Sequence, residues 1–130
     1  MKSGGGDLEL AGVGRFTGGG LLKEGTLVLS NAAALGTGEL IVDGSGVRVR
    51  SGMGSLTSSN KIDLRSDVTL GAVGSGDLTF NAGIRLNGRR AVTVDSAVSL
   101  DSIVDGSVLG SAFVKKGSGT LTMTGTNAYT

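Results

Sequence analysis

Carboxylates are the side chains in this sequence best suited to acid–base chemistry, because the chain has no histidine and no cysteine. That composition removes Ser–His and Cys–His catalysis, and it removes metal sites built on imidazole or thiolate. A glycoside hydrolase could work with two carboxylates about 5–9.5 Å apart. The candidates are Asp63, Asp67, Asp77, Asp95, Asp101 and Asp105. Their spacing is typical of solvated residues at bends and strand ends. We therefore predict that the chain is not an enzyme and uses no metal or cofactor.

Basic side chains are concentrated in the middle of the chain. The segment 48–90 contains seven basic and three acidic residues, so its net charge is +4 although the net charge of the whole chain is only +1. On stacked strands such side chains would lie about 4.8 Å apart and could bind an anionic glycan or lipopolysaccharide. The predicted stripe consists of Arg48, Arg50, Arg65, Arg85, Arg89 and Arg90. The alternative is a set of scattered charges that keep the surface soluble. Nothing in the charge pattern points to nucleic acid.

The elements that must position these residues are short strands. Apolar residues two positions apart recur eleven times along the chain, from Leu8/Leu10 to Leu121/Met123, and nine of the eleven residues between them are polar or charged. This alternation predicts strands with one buried face. Because aromatic residues make up only 3% of the chain, the core must be aliphatic. The residues predicted to lie inside are Leu8, Leu27, Leu40, Ile62, Val68, Leu78, Val92 and Leu121.

The spacing of these strands predicts a coil. Pairs that begin at residues 40 and 47, 62 and 68, 78 and 84, and 92 and 98 form doublets. Two strands joined by a bend and followed by a longer loop would make a rung of roughly 20 residues, and the chain would contain about six rungs. Asparagines fall at or beside the breaks, where their amides can stack on neighbouring rungs: Asn31, Asn60, Asn81 and Asn87. An antiparallel sandwich also has short alternating strands and is the alternative. We predict an all-β parallel β-helix.

One phrase occurs twice, once near each end of the chain. Gly4-Gly5-Gly6-Asp7-Leu8-Glu9-Leu10 reappears as Gly117-Ser118-Gly119-Thr120-Leu121-Thr122-Met123, and shorter echoes begin at Gly36 and Gly74. Such self-similarity is typical of a chain built by stacking one structural unit.

The C-terminal copy resembles a known repeat. Lys116-Gly117-Ser118-Gly119-Thr120-Leu121-Thr122-Met123-Thr124-Gly125-Thr126-Asn127-Ala128-Tyr129-Thr130 is similar to the passenger-associated transport repeat of bacterial autotransporters. The second phrase of that family is matched by Gly25-Thr26-Leu27-Val28-Leu29-Ser30-Asn31-Ala32-Ala33-Ala34-Leu35-Gly36-Thr37-Gly38. The N-terminal copy departs from the pattern, with Asp7 and Glu9 where the family has threonines.

The resemblance implies a right-handed parallel β-helix in the passenger of a secreted or surface-displayed protein. The expected organisation is a single segment over 1–130, a slice of a longer passenger, with repeat-motif regions at 4–38 and 117–130. Its partners would be the rest of the passenger and a C-terminal barrel in the outer membrane. The implied role is a structural stalk, in an adhesin linked to virulence. The alternatives are an autochaperone-like segment that promotes folding and secretion, and a β-helical carbohydrate-active enzyme.

The terminal rungs carry one further expectation. Unpaired strand edges template the addition of other strands, and the rung at Thr120–Thr124 is uncharged and rich in β-forming residues. We predict end-to-end self-association of the isolated protein.

Overall fold

Fifteen short strands and no α-helix make up the part of the chain that the computed structural model describes. The described residues are 4–12, 14, 19–52, 54–86, 89–101, 103–105 and 112–124. The predicted all-β class is therefore confirmed for these residues.

The strands form three sheets. Sheet 1 contains β1 (Asp7–Leu10), β3 (Gly25–Leu29), β5 (Val47–Ser51), β8 (Val68–Leu70), β11 (Arg89–Val94) and β14 (Ala112–Lys116). Sheet 2 contains β2 (Gly20–Leu22), β4 (Leu40–Val42), β7 (Ile62–Leu64), β10 (Ile84–Leu86) and β13 (Ile103–Asp105). Sheet 3 contains β6 (Leu56–Ser58), β9 (Leu78–Phe80), β12 (Val98–Asp101) and β15 (Leu121–Thr124).

Every described strand pair is parallel, as the sequence predicts. The chain runs through sheet 1, sheet 3 and sheet 2 and then returns to sheet 1 one level higher, as in β5, β6, β7 and β8. This path is a β-solenoid of about four turns. The alternative fold, an antiparallel sandwich, is excluded by the parallel ladders.

The rung differs from the predicted one in two ways. A full turn contains three strands rather than the two predicted. The alternation pattern does not predict β6, because its sequence Leu56-Thr57-Ser58 has only one apolar residue. The predicted six rungs are reached only in sheet 1, since sheets 2 and 3 contain five and four strands. The length of a turn also varies, since the turn that stacks Leu27 on Leu8 is shorter than the turn that stacks Val94 on Leu70.

The core consists of apolar columns that point inward from each sheet. In sheet 1, Leu27, Val49, Leu70 and Val94 follow one another on successive strands, and each is less than 5% exposed. Similar columns extend from the other two sheets and form one apolar cluster with that of sheet 1, which includes the fully buried Phe80 of sheet 3. Six of the residues predicted to lie inside are buried: Leu27, Leu40, Ile62, Val68, Leu78 and Val92.

Two predicted core residues are not fully buried. Leu8 is 41% exposed, and Leu121 is only partly buried although it packs against the core. Both point into inward columns, beside Leu27 and Val98 respectively. They belong to β1 and β15, each of which has a ladder partner on one side only in the described structure. The prediction that both side chains point inward is therefore confirmed, but the prediction that they are buried is wrong for Leu8 and only partly met for Leu121.

Close contact between rungs explains the C-terminal copy of the Gly-x-Gly phrase, but not the N-terminal copy, where a Cβ atom added at Gly4 or Gly6 would meet no described atom within 4 Å. Gly117 has φ of 84°, and a Cβ atom there would collide with the carbonyl oxygen of Val94 one rung below. A Cβ atom on Gly119 would collide with the backbone of Ser96, while its own N–H donates to the Val94 oxygen at 2.7 Å. Glycine is required at both positions because the backbones touch.

A buried asparagine joins two rungs away from the sheets. The Asn60 side chain donates from Nδ2 to the carbonyl oxygens of Gly36 (3.0 Å) and Gly38 (2.7 Å), and its Oδ1 accepts from the Ser58 hydroxyl at 2.9 Å. Asn60 is 4% exposed. The expectation that asparagines at the bends contact neighbouring rungs is thus confirmed for Asn60, whose amide satisfies backbone groups that lie outside the ladders.

The inward columns lead to a direct stability prediction. Leu78→Asp should lower the free energy of unfolding by more than about 4 kcal/mol, because it places a charge in an aliphatic interior with no partner. Thr79→Ser, at the next position and facing outward, should change it by less than about 0.5 kcal/mol. Urea titration of both variants measures the difference. Similar midpoints for the two would contradict the inward and outward assignment.

Candidate functional site

The outer surfaces of the three sheets carry different chemistry. Because the ladders are parallel and in register, outward side chains form columns with a spacing of about 4.8 Å. The column on sheet 1 is Asp7, Thr26, Arg48, Thr69, Thr93 and Lys116. The column on sheet 2 includes Leu21, Ile41, Asp63 and Arg85. The column on sheet 3 is Thr57, Thr79, Ser99 and Thr122.

The six arginines of the predicted polyanion stripe fall into two groups. Arg48 and Arg50 lie on β5, and Arg89 and Arg90 are the first two residues of β11, so all four belong to sheet 1. Arg85 lies on β10 of sheet 2, and Arg65 follows β7 of the same sheet. The structure therefore does not bring the six residues into one stripe. Their binding to a polyanion stays a prediction.

Arg48 links three successive rungs. Its Nη1 donates to the carbonyl oxygen of Gly71 at 2.8 Å, one rung above, and lies 3.3 Å from Oδ2 of Asp95, which follows the strand two rungs above. The side chains of Arg48 and Asp95 are 35% and 21% exposed. A charged side chain bound to a backbone oxygen and a carboxylate together is more strongly held than an exposed ion pair.

Arg50 spans rungs in the opposite direction. Its Nη2 lies 4.0 Å from Oδ2 of Asp7, which is two strands below. To reach Asp7 the arginine side chain passes over the rung that holds Val28, its direct neighbour in the ladder. Val28 is an outward apolar residue and yet only 2% exposed. Gly52 packs against this side chain, since a Cβ atom added at Gly52 would lie 2.7 Å from Val28 Cγ1.

Arg65 pairs with a buried carboxylate. Its Nε donates to Oδ2 of Asp63 at 3.2 Å, and the Asp63 side chain is only 3% exposed although it points outward from sheet 2. Arg85 is the next residue in the same column. Three of the six predicted arginines thus already face an aspartate at ion-pair distance, and an anionic ligand would have to compete with that aspartate.

The aspartates considered for catalysis are distributed over the three sheets. Asp63 and Asp95 pair with Arg65 and Arg48, and Asp67 precedes β8 and accepts the Ala91 N–H at 2.9 Å. Asp77 precedes β9 in sheet 3, and the other two end β12 and β13: Asp101 and Asp105. Among the described residues there is no group of three or more acidic side chains that could hold a metal ion. The same part of the chain contains no helix that is long and apolar enough to cross a membrane.

The hydroxyl column of sheet 3 is not among the sites predicted from the sequence. Its four residues, Thr57, Thr79, Ser99 and Thr122, recur at intervals close to the length of one turn. That spacing is the signal by which the column could be found. The sequence does not show that Thr57 belongs to this column until β6 is identified as a strand, because only then is the Thr57 side chain known to point outward.

The cross-rung contacts of Arg48 predict a measurable contribution to stability. Arg48→Ala should lower the free energy of unfolding by about 0.5–1 kcal/mol, because it removes a bond to a backbone oxygen and a partly exposed ion pair. Arg85→Ala is the matched control, since this exposed arginine makes no ion pair among the described residues. Part of the Arg48 effect should disappear in about 1 M salt. Equal stability of the two variants would show that the contact does not hold the rungs.

Similarity to known proteins lies in the first and last rungs. No curated protein and no solved structure matches the chain. Residues 2–33 and 113–130 match the family model of the passenger-associated-transport-repeat. The first segment includes β1, β2 and β3, and the second includes all of β15 and most of β14. These matches confirm the resemblance found in the sequence. Both terminal segments of the chain are therefore similar to the passenger-associated-transport-repeat.

Proposed function

We propose that this chain is a stalk segment of a surface-displayed autotransporter passenger, and that the parent protein is an adhesin. The observation that carries the proposal is the set of parallel in-register ladders, which extends from the first matched repeat to the second. Each backbone ladder joins a rung only to the rungs beside it, so the solenoid acts as a spacer whose length depends on the number of rungs. Five steps in sheet 1 give a length of roughly 24 Å.

The side-chain contacts support a structural role. Asn60 and Arg48 tie neighbouring rungs together, and the aspartates that could serve catalysis are distributed over all three sheets. We therefore propose that the segment has no enzymatic activity of its own. The family match supports display at the cell surface or secretion in general terms.

A whole-turn deletion tests the stalk proposal. Leu70 and Val94 are partners in the sheet 1 ladder, so removal of residues 70–93 joins Thr69 to Val94 and keeps both inward columns in phase. The shortened protein should fold cooperatively, and small-angle scattering should show a decrease of about 4.8 Å in length. A spacer tolerates this change because no single rung is unique.

The matched control removes about half a turn, residues 70–81. This deletion moves the following strands to the wrong sheet and turns apolar side chains outward, so the variant should not fold. If the whole-turn deletion unfolds the protein to the same extent, individual rungs are not interchangeable, and the spacer role is contradicted.

We also propose head-to-tail association of a protein that consists of these 130 residues. The outward column of sheet 1 starts with Asp7 and ends with Lys116, and β1 and β14 are its outermost described strands. If β1 of a second copy continued the ladder beyond β14 in register, Asp7 of that copy would lie beside Lys116. Opposite charges directly opposite each other stabilise a strand pair.

Sedimentation velocity at high micromolar concentration tests this association. Lys116→Glu should shift the protein toward the monomer, and adding Asp7→Lys should restore the oligomer because the charges are exchanged. Thr122→Lys on β15 should also weaken association, whereas Lys61→Glu, exposed between β6 and β7, should have no effect. A strict monomer at all concentrations, or a failure of the charge exchange to restore association, would contradict the proposal.

A further inference from the structure

A shallow groove of about 130 Å³ lies on the outer surface of sheet 1. It extends over the strands β5, β8, β11 and β14. The groove is lined by the side chains of Asp67, Thr69, Thr93 and Lys116, together with Gly46 and Ala91. None of these residues belongs to the predicted arginine stripe. Lys116, on the outermost described strand of sheet 1, is also used by the proposed head-to-tail association.

The groove lies where one outward column has small residues, Gly46 and Ala91. Val68 pairs with Val92, which places Asp67 beside Ala91, and the two are joined by the hydrogen bond from the Ala91 N–H to Oδ1 of Asp67. Gly46 occupies the corresponding position before β5. The neighbouring outward column, two residues further along each strand, contains Thr69 and Thr93. The groove therefore has Gly46 and Ala91 on one side and the two threonine hydroxyls on the other.

Four polar groups around the groove have no partner among the described residues. They are the second carboxylate oxygen of Asp67, the hydroxyls of Thr69 and Thr93, and the ammonium group of Lys116. The hydroxyls can donate and accept, the carboxylate accepts and the ammonium donates. The one negative and one positive group balance, so the groove has no net charge.

The chemistry of these groups selects the kind of ligand. An anionic polymer would meet the Asp67 carboxylate, and an apolar ligand would find four polar groups that it could not satisfy. A metal ion would find a single carboxylate, in agreement with the absence of a metal-binding cluster in the described part of the chain. A compact neutral molecule with several hydroxyl groups can satisfy all four, because each hydroxyl both donates and accepts.

The volume limits the size of the ligand. A space of about 130 Å³ is much smaller than the roughly 300–1,000 Å³ of pockets that enclose a drug-sized molecule. It can take a single ring of a longer chain, whose other units would continue over the surface. We propose that the groove between Asp67 and Lys116 binds one sugar residue of a neutral polysaccharide, with Asp67, Thr69 and Thr93 as the residues that contact its hydroxyls.

Amide chemical shifts of the labelled protein test the proposal at a concentration at which it is monomeric. The probes are cellohexaose and mannohexaose as neutral oligosaccharides, and a polygalacturonate hexamer as the acidic one. At least one neutral probe should bind with a millimolar dissociation constant and shift the amides of Thr69, Ala91 and Thr93. A site that makes a few solvent-exposed hydrogen bonds is expected to be this weak.

The double variant Thr69→Val/Thr93→Val removes both hydroxyls and keeps side chains of the same shape. It should weaken binding about tenfold, since two hydrogen bonds are lost. Thr79→Val on sheet 3 is the matched control, because it removes an equally half-buried outward hydroxyl outside the groove and should not change binding. Ala91→Arg should fill the groove and abolish binding, and circular dichroism checks that each variant is folded.

Three results would overturn the proposal. The first is that neither neutral oligosaccharide shifts the groove amides. The second is that Thr79→Val weakens binding as much as the double variant does. The third is that the polygalacturonate hexamer binds at the groove in preference to both neutral probes.

Discussion

The in-register stacking of parallel strands is the constraint on which the rest of this molecule depends. A rung of three short strands, with at most three inward side chains per strand, cannot bury its apolar face alone. It becomes stable when Leu27 lies under Val49, Val49 under Leu70 and Leu70 under Val94. The same register fixes the outward columns, so the surface chemistry follows from the packing of the core rather than from separate folded loops.

The close approach of the rungs also limits the sequence. Gly117 and Gly119 pass so near the backbone of Val94 and Ser96 that no side chain fits. Polar groups at the bends are then satisfied by neighbouring rungs, as Asn60 does for Gly36 and Gly38. Glycine at these positions is therefore a consequence of stacking. A chain with this architecture has little room for a deep pocket, and recognition has to take place on its outer faces.

The sequence predicted the parts of the fold that depend on local alternation. Leu78 and Phe80 with Thr79 between them show the burial pattern that their polarity predicts. The third strand of each turn is harder to find, since β6 places Ser58 inward, where its hydroxyl is held by Asn60. The repeated phrase also does not mark equivalent positions in the turn, because its N-terminal copy forms β1 in sheet 1 and its C-terminal copy forms β15 in sheet 3. The phrase encodes a bend followed by a strand, which more than one sheet can use.

The candidate surfaces could be predicted only in part, for a related reason. Which side chains share a column depends on the length of every turn, and that length is not constant even within sheet 1. The pairing of Arg48 with Asp95, which are two turns apart along the chain, cannot be inferred without the register. The groove beside Asp67 has the same origin, since Gly46 and Ala91 become neighbours of Asp67 only when the turns are aligned.

Engineered disulfides test the register most directly, because the chain contains no cysteine. Thr79 and Ser99 are direct partners in sheet 3, and Thr57 and Ser99 lie two rungs apart in the same column. Direct partners are about 4.8 Å apart and within the range of a disulfide, whereas residues two rungs apart are beyond it. The register predicts that oxidation crosslinks Thr79→Cys/Ser99→Cys within one molecule and leaves Thr57→Cys/Ser99→Cys reduced. Crosslinking of the second pair, or of neither pair, would contradict the parallel stack.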